Sequence, residues 1–246
     1  MPAMCDTCGC GDPRVVPVEV QKHILGENDR VARHNREHFE ALGVLAVNLM
    51  GSPGSGKTAL LEATSRALGG SMRLAAVSGD LATDHDAARL RAAGIASAAI
   101  TTGTACHLDA ELVHRSLHGV PWRDADLFFI ENVGNLVCPA IYDLGQAANV
   151  VALSVTEGED KPLKYPVMFR KADLVVLTKV DLLPHLPGVD VARIRDAIAR
   201  TMPDPRVLEV SATTGAGVDA WVGWLRDRRA GLAARAHGHA HPGHAH

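Results

Sequence analysis

The sequence predicts an α/β fold in which a mostly parallel sheet is flanked by helices, and three features of the chain carry that prediction. Short aliphatic and β-branched runs alternate with helix-forming segments, the pattern of buried parallel strands joined by crossover helices. The run at residues 44–50 (VLAVNLM) passes through GSPGSGKT straight into a helix-forming segment, which is the strand–loop–helix setting of a phosphate-binding loop. Two acids, Asp80 and Glu131, end later strand-like runs, and the carboxyl ends of parallel strands are where such folds hold their ligands.

Ahead of the loop, residues 1–16 carry Gly and Pro with almost no apolar periodicity, so a flexible arm is expected. Within it Cys5, Cys8 and Cys10 can converge on one soft or borderline ion, because the intervening glycine lets the segment fold tightly. Idle reduced thiols are the bland alternative. Across residues 18–42 the spacing of Val20, Ile24, Leu25, Val31, Phe39 and Leu42 predicts one or two helices packed on the domain. His34 and His38 lie four apart there and could share an ion, but with no third ligand in view they read as a solvated face.

In the loop, Gly51, Gly54 and Gly56 admit backbone conformations that turn successive N–H groups of Ser52, Ser55 and their neighbours toward a polyphosphate. Lys57 supplies a point charge and the Thr58 hydroxyl is placed to ligate Mg²⁺, while the helix begun there, to about residue 68, adds its positive dipole end. RLAAVSGD then predicts a strand ending on Asp80. Asp84 and Asp86 follow on the way to a helix that closes near Gly94; of the three acids, Asp80 is the one expected to serve metal and water.

IASAAITTG predicts another strand. Cys106 and His107 after it fit a metal pair, a nucleophile with its base, or chance, ahead of a helix over residues 108–118 that leaves His114 and His118 on the surface. Residues 127–130 predict a buried strand with Glu131 at its end and Gly134 three residues on, which resembles the acid-x-x-Gly element of P-loop NTPases in which the acid reaches Mg²⁺ directly or through water and the glycine N–H senses the γ-phosphate. Cys138 lies on the same loop, so Cys106, His107 and Cys138 offer a second thiolate–imidazole set that two chains could share at a two-fold axis.

NVVALSVTEG predicts a further strand, and Lys161 and Lys164 after it read as a solvated loop. Thr178, Lys179 and Asp181 follow the strand DLVVL. An Asp there can accept the ring N–H and amino hydrogens of guanine, for which adenine has no matching ring donor, and Lys179 would lie along the base. Many guanine-nucleotide proteins carry Asn where Thr178 stands. Ser211 and Ala212, after the strand RVLEV, fit the element that closes over the base, so GTP is expected over ATP. Helices over residues 189–200 and 218–232 complete a nucleotide domain spanning 17–232, and 233–246 is a low-complexity tail. Its His237, His239, His241, His244 and His246 can bind Ni²⁺ with little geometric demand.

Composition narrows the function classes. The chain has 246 residues, 47% of them hydrophobic, enough for one well-buried domain. A formal net charge of -3 with scattered basic residues argues against nucleic acid. No apolar run approaches a membrane span and residues 1–12 lack the regions of a signal peptide, so no membrane is expected and a cytoplasmic location is. Five cysteines, an odd number crowded toward one end, fit metal chemistry in a reducing compartment better than a disulfide framework.

Taken together, the Cys-x-x-Cys-Gly-Cys arm, GSPGSGKT, the acids at 80–86, Cys106-His107, ENVGNLVCP and KVDLLP resemble the HypB family, nickel-handling GTPases of [NiFe]-hydrogenase maturation. The resemblance covers essentially the whole chain. It implies a SIMIBI-class P-loop fold with metal-binding terminal segments, a GTP-dependent homodimer, slow GTP hydrolysis, and partnership with a HypA-like accessory protein and the hydrogenase large-subunit precursor. It also implies a nickel site at Cys5, Cys8 and Cys10, and a Ni²⁺ or Zn²⁺ site at Cys106, His107 and Cys138. Thr178 departs from that family's usual Asn, and Met1-Pro2-Ala3 precede the Met4-Cys5 at which its cysteine motif would be expected to begin. A related urease-serving GTPase, a nickel store with a secondary nucleotide domain, and a P-loop kinase are the rival readings.

Overall fold

The computed structural model describes residues 18–80, 83–103 and 105–238. The arm with Cys5, Cys8 and Cys10, and the tail positions His239, His241, His244 and His246, lie outside them. In chain order the elements are α1 (Val18–Ala41), β1 (Leu45–Met50), α2 (Lys57–Leu68), β2 (Leu74–Asp80), α3 (His85–Ala92), β3 (Ala96–Thr101), α4 (Ala110–Ser116) and β4 (Leu127–Glu131). Then come β5 (Ala148–Ser154), α5 (Lys161–Lys164), α6 (Pro166–Lys171), β6 (Leu174–Thr178), α7 (Val191–Ala199), β7 (Val207–Val210) and α8 (Val218–Gly238).

The strands form a seven-stranded sheet in the order β3-β2-β4-β1-β5-β6-β7, every pairing parallel. From β1 the chain lays β2, β3 and β4 to one side, then crosses over to lay β5, β6 and β7 on the other. β1 is thus the switch point of the topology, and the crevice beyond its carboxyl end is where an open α/β sheet binds ligands. β1 and β4 are buried at every position, which is why their sequences read as unbroken apolar runs rather than alternating ones.

Side chains alternate between two helical layers. Leu45, Val47 and Leu49 pack with Leu60 and Leu61 of α2 and Trp221 and Leu225 of α8; Ala46, Phe128 and Ile130 face Phe39 of α1 and Val113 of α4. The buried Trp221 indole N–H donates to Thr64 Oγ at 2.8 Å, so the bulkiest core residue leaves no orphaned donor. A single helix, α1, covers the predicted one or two. Polar staples hold it: Asn35 Nδ2 donates to the carbonyls of Ala110 (2.9 Å) and Leu144 (3.2 Å), and Arg36 pairs with Asp143 at 2.7 Å.

Four boundaries differ from the sequence reading, each for a local reason. α4 starts at Ala110 rather than near 108, because Leu108 is fully buried in the core and the Asp109 side chain caps the helix by accepting Leu112 N–H at 2.8 Å. Asp190 likewise caps α7 through Ala192 N–H, moving its start to Val191. The stretch read as a loop after β5 forms α5 and α6, with prolines in their first turns and Met168 and Phe169 fully buried beneath them. Finally α8 continues to Gly238, past the expected end of the domain at 232. Among the described residues, no helix is long and apolar enough to cross a membrane.

Candidate functional site

The loop between β1 and α2 is built on close backbone approaches. A Cβ on Gly51, whose φ is +149°, would stand 2.3 Å from the Ala152 carbonyl oxygen, so only glycine lets the loop leave β1 against β5. Lys57 Nζ folds onto the loop, donating to the carbonyls of Gly51 (3.2 Å) and Ser52 (3.1 Å). Burial lowers its pKa, opposed by the charges of Glu131, Asp86 and Glu157. Ser52 Oγ donates to Glu157, which also receives Ser154 N–H at 2.9 Å. Ser55 Oγ is buried inside the loop with no partner among the described residues.

Three oxygen donors meet at the start of α2. Thr58 Oγ lies 2.6 Å from Glu131 Oε1 and 2.8 Å from Asp86 Oδ1, and Glu131 Oε2 accepts from Ser78 Oγ at 3.1 Å. Burial pushes the Glu131 carboxyl above the usual carboxylate range, and Asp86 adds repulsion while Thr58, Lys57 and Ser78 oppose. Two carboxylates and a hydroxyl, with Glu131 and Thr58 buried and Asp86 half-exposed at the cavity wall, form a hard-oxygen set that suits Mg²⁺, whose charge would relieve that repulsion. Of the acids at 80–86, Asp86 makes the contact with Thr58; Asp80 accepts Thr83 Oγ at 3.0 Å and lines the same cavity of about 470 Å³. The sequence reading chose Asp80 of the three acids for the metal, whereas it is Asp86, in the first turn of α3, that reaches Thr58.

On the other flank, Thr178 Oγ donates to the Ser55 carbonyl at 2.6 Å and Lys179 Nζ to that of Gly54 at 2.7 Å. The last residue of β6 and the one after it thus rest on the phosphate loop, with Lys179 held in a left-handed conformation (φ +60°). Asp181 stands half-buried in the first turn of the 3₁₀ segment Val180–His185. The β6–β7 register sets Thr178 opposite Val210, so Ser211 and Ala212 emerge beside Lys179. Ser211 is fully buried and its Oγ accepts Thr214 N–H at 3.0 Å.

The loop after β4 touches both this cavity and a second cluster. A Cβ on Gly134 would fall 2.7 Å from Pro53 Cγ and 2.8 Å from Pro53 N, so the glycine lies flat against the phosphate loop. The next residue, Asn135, pairs its backbone with Gly51 and donates its Nδ2 to the Cys106 carbonyl at 3.3 Å. No motif in the sequence singles out Asn135. Beyond it Cys138 Sγ comes within 3.1 Å of Cys106 Sγ, and Cys106 Sγ lies 3.8 Å from His107 Nδ1. Donor atoms of Cys106, His107 and Cys138 all fall within 4.8 Å of one another, so the three expected ligands are together in one chain and both thiols are free. The contact with Cys106 raises the Cys138 thiol pKa and burial adds to it, whereas burial lowers that of His107, whose ring stacks on Tyr142 at 4.0 Å. A borderline divalent ion takes up both thiolates and a neutral imidazole from such a set. Of the tail histidines, His237 falls in the last turn of α8.

Residues 45–208 match the family model described as CobW/HypB/UreG, nucleotide-binding domain. The chain is 52% identical over 235 residues to the hydrogenase maturation factor HypB of Azotobacter chroococcum mcd 1, covering 95% of this chain and 76% of that protein. Among solved structures, HypB from Archaeoglobus fulgidus superposes with a TM-score of 0.77 at 42% identity, covering 83% of this chain and 100% of that one. HypB from Helicobacter pylori in complex with nickel gives 0.78 at 36%, covering 82% and 95%.

Proposed function

This chain belongs to the CobW/HypB/UreG nucleotide-binding family, among the HypB hydrogenase maturation factors, and from that premise we propose that it is a GTP-driven nickel carrier for the [NiFe]-hydrogenase large subunit. The observation that carries the proposal is Asn135, whose backbone is bridged to Gly51 of the phosphate loop while its amide holds the carbonyl of Cys106. One short loop is therefore common to the nucleotide cavity and the thiolate centre.

In this reading, backbone N–H groups of residues 51–56 and the Lys57 ammonium bind the β- and γ-phosphates, with Ser52 and Ser55 on the loop wall. Thr58, Asp86 and Glu131 would hold Mg²⁺, which neutralises charge on the phosphates when bound. Asp181 reads the guanine ring N–H and amino group, Lys179 supports the base, and Ser211 and Ala212 close over it. Thr178 substitutes for an amide by tying β6 to the phosphate loop at Ser55. Asp80, on the cavity wall, orients the water that attacks the γ-phosphorus as the bond to the bridging oxygen of GDP breaks. With no glutamine in that role, turnover is slow.

Gly134, packed on Pro53, senses the γ-phosphate and passes its state along Asn135 to Cys138. Ni²⁺ is the cargo of Cys106, His107 and Cys138, with Zn²⁺ able to compete there, and a GTP-dependent homodimer would bring two such sets together. Cys5, Cys8 and Cys10 capture nickel first, and the histidine tail buffers it. A HypA-like accessory protein and the large-subunit precursor are the partners, in the cytoplasm.

Replacing Lys57→Ala in cells lacking the native chain tests the reading. Loss of both GTP hydrolysis in vitro and hydrogenase activity in vivo is expected. Full hydrogenase activity without hydrolysis would recast the protein as a nickel store, and ATP competing as well as GTP would recast it as a kinase.

A further inference from the structure

A second histidine cluster stands apart from these sites, in the seam between α1 and α4. His34 and His38 are one helical turn apart on α1, and the fold brings His114, from the last turn of α4, against them. Ring centroids are 4.2 Å apart for His34–His38, 5.2 Å for His34–His114 and 6.0 Å for His38–His114. One nitrogen from each ring lies within 4.8 Å of the others.

Neighbouring groups orient the rings. Asn35 Nδ2 is committed to two carbonyls, so its Oδ1 is fixed as an acceptor facing His114 Nδ1 at 2.9 Å. His114 Nδ1 must therefore carry the proton, which leaves a lone pair on Nε2. A ligating imidazole whose other nitrogen donates to an amide oxygen is the usual outer-shell arrangement of protein metal sites. The His38 ring lies parallel to that of Trp122 (5°, centroids 6.0 Å apart). His34 is exposed and free to close over an ion. Beside the cluster a cavity of about 430 Å³ is lined by His34, His114, Glu37 and Glu111 together with Arg30 and Arg33, so water or one of the two carboxylates can complete four-coordination while the other acid offsets the arginines.

We propose that His34, His38 and His114 form a further metal site, a three-imidazole set for a borderline divalent ion such as Zn²⁺ or Ni²⁺, which clamps α1 onto α4. Three imidazoles without a thiolate suit Zn²⁺, Ni²⁺ and Cu²⁺ rather than Mg²⁺. The site lies at the far end of α4 from His107 and does not depend on nucleotide or on the carrier function.

The test uses the full-length chain with Cys5, Cys8, Cys10, Cys106 and Cys138 changed to Ser and the five tail histidines to Ala, saturated with Mg²⁺ and GDP, so that no thiolate, tail imidazole or open oxygen site competes with the α1–α4 cluster. Titration with Zn²⁺ should show a single equivalent bound and a higher melting temperature. His34→Gln/His114→Gln in that background should remove both effects, and long-range histidine ¹H–¹⁵N spectra should place the ion on Nε2 of His114. Should the background fold poorly, the same double substitution in the otherwise unaltered chain should lower the bound stoichiometry by one equivalent. Superimposable isotherms with and without His34 and His114 would overturn the proposal, as would a stoichiometry that the double substitution leaves unchanged.

Discussion

The nucleotide cavity and the thiolate centre share one loop yet are made of opposite materials. The first is lined by hard oxygens and an ammonium, with Glu131 and Lys57 both buried; the second has two free thiols and an imidazole, all half-buried. In the proposed reading hard and soft donors sort Mg²⁺ from Ni²⁺ by chemistry, so the two cations need no steric filter to find their own sites. The difference teaches how the chain would hold two cations at once and still couple them: Asn135 pairs its backbone with Gly51 and holds the Cys106 carbonyl with its side-chain amide.

The largest effect should come from breaking the hard side alone. Lys57→Ala should slow GTP hydrolysis by roughly a hundredfold or more, the scale for losing a main charge-stabilising donor, while nickel binding at Cys106 in the GDP state stays unchanged in a competition assay with a chromophoric chelator. Breaking the soft side is the complement. Cys106→Ala/Cys138→Ala should remove the thiolate-to-nickel charge-transfer absorption of that centre yet leave nickel-free, Mg²⁺-supported GTP turnover within a few-fold of wild type. A large loss of turnover would mean that the two regions are one site.

A finer probe is Glu131. Its folded carboxyl holds a proton above the usual carboxylate value, whereas the unfolded chain has released it, so in that window the native state binds more protons and stability falls as pH rises. Glu131→Gln should flatten this fall in denaturation midpoints of Mg²⁺-free protein, while weakening Mg²⁺-dependent nucleotide binding. An unchanged pH profile would place the proton elsewhere. The smallest effect is expected at the base flank: Thr178→Asn should change GTP affinity by about 1 kcal/mol or less, the worth of a single exchanged hydrogen bond, read by fluorescent-nucleotide displacement.

The same contrast explains what was legible in the sequence. Gly51 to Thr58 are contiguous, so their chemistry and their strand–helix setting could be read together, and the parallel sheet followed from fully apolar runs such as β1 and β4. Cys106, His107 and Cys138 were nameable, but only the fold brings Cys138 Sγ to 3.1 Å from Cys106 across the intervening β4. Choosing Asp86 for the contact with Thr58 needs the turn between β2 and α3, which spacing does not fix. His34 and His38 looked like a solvated face because their third neighbour, His114, comes from α4. Asn35 and Asn135 carried no signal of their own, since a structural amide is recognised by its partners rather than by its neighbours in sequence. The short helices α5 and α6 escaped notice because prolines that open a helix look like breakers.

The central claim is that nucleotide state and nickel affinity are coupled through Asn135. The direct measurement is a Ni²⁺ titration of Cys106, His107 and Cys138 under reducing conditions, with GDP and then with a non-hydrolysable GTP analogue, in a chain whose arm cysteines and tail histidines are substituted. The account predicts affinities differing by about 5- to 150-fold between the two states, the usual span of a coupling free energy, and a difference that shrinks in Asn135→Ala while folding and GDP binding persist. Identical isotherms in both nucleotide states would contradict it, leaving the nucleotide domain as a docking device and nickel handling to the termini.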